Sequence, residues 1–99
     1  MQHAASKYGY ADIMSDMREL TDRARKLRAT AERYDLKLNE LVYMKIRLEY
    51  QNIAEDAAAV FHRYEHTRHH ECMTDAQRET AADAFARMMF AIVETSQKL

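Results

Sequence analysis

Apolar residues recur at steps of four and three along the first half of the chain: Ile13, Met17, Leu20, Ala24, Leu27, Ala31, Tyr34, Leu38 and Leu41. That spacing is the seam of a helix packed lengthwise on another helix. The helix is expected to begin near Ala11 or Asp12, after the turn signal Tyr8-Gly9-Tyr10. Asp12, Asp16 and Glu19 lie in its opening turns, where negative charge suits the helix dipole. Residues 1–9 carry no periodicity and are expected to form a flexible N-terminal segment.

Between Tyr34 and Tyr50 the apolar positions Tyr34, Leu38, Val42, Ile46 and Tyr50 advance only by fours. Each such step overshoots a turn by about 40°, so the stripe rotates by about 160° over the stretch. One straight partner cannot follow that rotation, and a break near Asp35 to Asn39 resolves it, both residues being good caps. A two-residue alternation through Met44, Ile46, Leu48 and Tyr50 offers a β-hairpin turning at Asn39-Glu40 as the alternative. The Leu, Met, Lys, Arg and Glu content, and a turn without Gly, favour helix.

From Val42 onward one helical face collects Ile46, Tyr50, Ile53, Ala57, Val60, Phe61 and Tyr64. The pattern fades through Thr67 to Met73, and Thr74-Asp75-Ala76-Gln77 then reads as a capping box. The last helix is expected from Asp75 to about Ser96, with Ala81, Ala84, Phe85, Met88 and Ile92 inward. The predicted fold is all-α over residues 10–99. It is a three-helix antiparallel bundle, or a long helical hairpin plus a third helix, with coiled-coil-like packing. The first two helices are expected to form the long pair and the third to pack back across them.

Composition narrows the class further. The 99 residues include one Gly and no Pro, too little turn punctuation for a sandwich or barrel. A net charge of -1 argues against a generic polyanion binder. Cys72 is alone, so no internal disulfide is expected. Without a signal-like or membrane-length apolar run, the expected address is the cytoplasm, with no membrane contact.

The chain has more apolar surface than three helices need to bury. Leu41, Met44 and Leu48 fall on the side of the middle helix opposite Ile46, Tyr50 and Ile53. On the last helix Phe90 points away from Phe85 and Ile92, and Met89 and Val93 widen the arc. Leu41, Met44, Leu48, Met89 and Phe90 are therefore the expected partner interface, rimmed by Lys45, Arg47 and Glu49. The alternative is that neighbouring helices of the same chain bury the middle helix on both sides. Seven methionines, Met14, Met44 and Met89 foremost, suit an adaptable contact surface.

Two charged clusters offer other chemistry. His62, His66 and His69 share a helical face, with His70, Glu65, Glu71 and Cys72 nearby, and are candidate ligands for zinc, nickel or copper or a pH-sensitive contact. The ordinary alternative is a solvated polar face. Arg23, Arg25, Lys26 and Arg28, with Arg33 beyond, are candidate phosphate contacts. Glu19, Asp22 and Glu32 interleave with them, which suits charges flanking a helix-packing seam. No constellation of nucleophile, base and oxyanion donors is recognisable, and no cofactor motif. The sequence thus predicts a non-enzymatic helical interaction module: a small adaptor, inhibitor or chaperone-like subunit, as a homodimer or on a helical partner. The alternatives are a dimeric nucleic-acid-binding regulator and a histidine-based metal or pH sensor.

Overall fold

A computed structural model describes residues 9–70 and 73–99, except the side chains of 68–70. Three helices follow in order: α1 (Tyr10–Glu32), α2 (Glu40–His70) and α3 (Asp75–Ser96). Among the described residues there is no strand, so the hairpin reading of 34–50 gives way to a turn followed by helix. Most of the expected flexible segment, residues 1–8, lies outside the described residues, as do Glu71 and Cys72.

The helix boundaries have local causes. At the start of α1 the Gly9 amide donates to the Asp12 carboxylate at 3.0 Å. The break falls where the phase is lost. Asp35 builds it twice over, its carboxylate accepting from the Lys37 amide at 3.1 Å and its carbonyl from the Leu38 amide at 3.0 Å. The Asn39 side chain donates back to the Asp35 carbonyl at 2.9 Å, and the Asn39 carbonyl accepts from the Tyr43 amide at 2.9 Å, opening α2. At α3 the capping box is complete. The Thr74 hydroxyl accepts from the Gln77 amide, and the Gln77 side chain accepts from the Thr74 amide, both at 3.1 Å.

The molecule measures 53 × 28 × 16 Å, elongated along the helices. Its core is the α1 line Ile13, Met17, Leu20, Ala24, Leu27 and Ala31. From α2 come Ile46, Ile53, Ala57, Val60 and Tyr64, and from α3 Ala81, Met88, Ala91 and Ile92. Met73, in the connection, closes one end. The α1 seam stops at Ala31, earlier than its spacing predicts. Tyr34 is 45% exposed, Leu38 80% and Leu41 75%, because the backbone turns at Asp35 and the continued spacing no longer describes one helix. On α2 and α3, Phe61 is exposed and Phe85 half-buried rather than fully inward.

The first two helices pair as expected, and the third packs back on α1 rather than across both. The most extensive interface joins α1 to α3, followed by α1 with α2, while α2 and α3 share little. The reason is side-chain size. Ala24 and Ala31 on α1, with Ala81, Ala91 and Thr95 on α3, are all buried and short enough for the two backbones to approach. The buried Thr95 hydroxyl reaches across to the Ala24 carbonyl at 2.9 Å. Helix α1 is therefore the central element. Between α2 and α3 the rings meet: Phe85 lies 5.4 Å from Phe61 and 6.0 Å from Tyr64, centroid to centroid.

A candidate interaction surface

Helix α2 is amphipathic twice. At about 100° per residue, Ile46, Ile53, Ala57, Val60 and Tyr64 share one face, and Leu41, Met44 and Leu48 fall on the other side of the cylinder. The structure exposes that second stripe: Leu41 by 75%, Met44 by 59% and Leu48 by 60%. The three residues line one shallow depression together with Lys45, Arg47 and Gln51. Lys45 and Arg47, on opposite flanks of the stripe, are both exposed. The third rim residue read from the sequence, Glu49, is turned toward α1 and sits 3.5 Å from Arg23. Lys45 and Arg47 are thus the charged residues that line the depression itself, while the exposed Glu40 and Glu55 stand at its two ends.

Tyr43 organises one flank. Arg47 Nη1 donates to the Tyr43 hydroxyl at 3.3 Å, and its guanidinium lies 5.9 Å from the Tyr43 ring centroid. The hydrogen bond to Tyr43 raises the Arg47 guanidinium above its usual pKa, and arginine is cationic across the physiological range with or without that shift.

On α3, Phe90 is 65% exposed, Val93 49% and Met89 39%. They belong to a separate helix and a separate face. All five residues expected at a partner interface therefore stand on the surface of the single chain, on two elements rather than one.

The basic cluster divides. Arg23 Nη1 lies 2.8 Å from Asp56 and Nη2 3.5 Å from Glu49, both on α2, and the Asp56 hydrogen bond is the main cause of its raised pKa. Arg28 lies 3.4 Å from Glu94 on α3 and 3.6 Å from Glu32. These two arginines bridge α1 to α2 and to α3; Arg25 and Lys26 are exposed. The spacing of Arg23 against Glu49 and Asp56, seven residues apart on α2, was not recognisable before the helices were paired.

His62 and His66 are exposed on α2, with the His62 ring edge-on to Phe61 at 6.2 Å. The side chains of His69 and His70, and all of Glu71 and Cys72, lie outside the described residues. Among the described residues no three His, Cys, Asp or Glu side chains are grouped to hold a metal ion. Nor is any described helix long and apolar enough to cross a membrane. Comparison with protein-family models, with curated proteins and with solved structures finds no match to this chain.

Proposed function

We propose that the protein is a non-enzymatic docking module, an adaptor, inhibitor or chaperone-like subunit, that receives an amphipathic helix of another protein on the outer face of α2. The supporting observation is the solvent-facing stripe Leu41, Met44 and Leu48, set between two cations on the face opposite the α2 core line. Burying such side chains contributes about 1.5–3 kcal/mol each. Lys45 and Arg47 select acidic flanks on the incoming helix and disfavour basic ones. The partner is thus a helix with apolar residues at i, i+3 and i+7 and Asp or Glu beside them.

Two helical peptides of equal apolar content, one flanked by Glu and one by Lys, test this by fluorescence anisotropy. The Glu-flanked peptide is expected to bind at least about tenfold more tightly, with the preference shrinking in salt. Leu48→Asp is expected to keep the helical circular dichroism and lose binding. If Leu48→Asp unfolds the chain, Leu48 belongs to the core; equal affinity for both peptides removes the charge selection. Phosphate binding through Arg23, Arg25, Lys26 and Arg28 has less support, because Arg23 and Arg28 already face carboxylates.

A further inference from the structure

Helix α3 carries a second packing seam on its outside. Ala82, Ala86, Met89 and Val93 follow steps of four, three and four, and all are exposed. At about 100° per residue they fall roughly opposite Ala84, Ala91 and Thr95, of which Ala84 lines a depression with α1 residues and Thr95 bonds the Ala24 carbonyl of α1. The seam therefore looks away from the central helix. Its composition is graded, with alanines in the first half and large residues in the second, and Phe90 (65% exposed) beside it.

We infer that this face of α3 is covered by the same face of a second copy, the two helices running antiparallel about a two-fold axis between Ala86 and Met89. This extends beyond the docking of a foreign helix on α2 and concerns a different face. Three observations select the occupant. First, the gradation is self-complementary under that axis. Ala82 meets Val93 of the second copy and Ala86 meets its Met89, so each layer joins one small and one large side chain. Second, charge selects the direction. The next seam position is Glu79, which is exposed. A parallel pair would stack Glu79 on Glu79, whereas the antiparallel pair sets it opposite Ser96 of the second copy. Third, the area fits a weak self-association. The seam and Phe90 expose on the order of 400 Å² per copy, so two copies cover on the order of 800 Å², the size of a weak, concentration-dependent dimer. The α2 stripe is less suited to a second copy in the matching antiparallel register, where Met44 meets Leu48 and Arg47 faces Arg47.

Light scattering tests the assembly and cysteine pairing tests its geometry, both on the full chain. The wild type is expected to reach twice the 11.7 kDa chain mass at submillimolar concentration. Ala86→Glu, a change at an exposed helical position, is expected to keep its helical circular dichroism and weaken the dimer by at least about 100-fold. Leu48→Asp is expected to leave the dimer intact. In a Cys72→Ser background, chains carrying Ala82→Cys are expected to cross-link with chains carrying Val93→Cys. Neither alone does so, because like positions stand about 16 Å apart along the axis, beyond disulfide reach. A wild type that stays at 11.7 kDa, a dimer indifferent to Ala86→Glu, or one abolished by Leu48→Asp overturns the inference. So does efficient cross-linking of Ala82→Cys with itself, which marks a parallel pair. The peptide measurement on α2 is read separately, so either proposal can fail while the other stands.

Discussion

The Thr95 hydroxyl lies 2.9 Å from the Ala24 carbonyl oxygen, joining residues 71 apart in sequence. The same hydroxyl lies 2.8 Å from the Ala91 carbonyl in its own helix, so one proton is shared between two acceptors. Thr95 is fully buried and Ala24 is 1% exposed. Two small buried residues of α1 and α3 meet here, and the stabilisation is expected to rest more on their small volume than on the hydrogen bond. Thr95→Val keeps the shape and leaves no buried polar group on the side chain, so it is expected to cost about 1 kcal/mol or less. Ala24→Leu adds bulk where the backbones meet and is expected to cost about 1–3 kcal/mol. Urea unfolding of the two variants checks the order; a larger loss for Thr95→Val would place the stabilisation in the hydrogen bond.

Leu27 and Leu41 occupy the same periodic series in the sequence yet sit in opposite environments, 8% and 75% exposed. Leu27→Ala is expected to cost about 2–5 kcal/mol as a core deletion. Leu41→Ala is expected to stay within about 0.5 kcal/mol, as an exposed substitution. Denaturation midpoints of the two variants make the comparison, under conditions where the chain is monomeric.

Arg23 ties α1 to two carboxylates of α2 while remaining 29% exposed. Its folded pKa is raised, first by the Asp56 hydrogen bond, so its contribution is complete below the ordinary arginine pKa. That contribution is lost only as pH rises through the higher folded value. The arginine itself therefore introduces no stability change between about pH 6 and 9. Arg23→Met is expected to cost up to about 1 kcal/mol at low ionic strength and less in high salt. Unfolding titrations at two salt concentrations measure the difference.

Features encoded within one turn of chain were readable in the sequence. Thr74 and Gln77 are three residues apart, and the box they form needs no other part of the molecule. The break at Asp35 followed from a phase error that no straight helix pair accommodates. The second α2 stripe was readable because Leu41, Met44 and Leu48 are out of phase with Ile46 and Ile53 by half a turn. Pairing order was harder. The α1–α3 contact includes the small pair Ala24 and Thr95, and α3 buries Ala81 and Ala91 as well, residues whose weak hydrophobicity gives a faint periodic signal even where their small size lets helices approach. The true rim of the α2 stripe was hidden for a related reason. Glu49 reads as a surface charge until Arg23, 26 residues earlier, is placed beside it.

The central position of α1 fixes when the molecule can become whole. Its seven-residue connection lets α2 fold back as soon as it is made. The surface that covers α1 most extensively, however, is supplied by the last helix of the three. During synthesis one side of the first helix stays wet until residues 75–96 emerge, and closure must bring together positions some seventy residues apart, a slow ring to close for an all-helical chain.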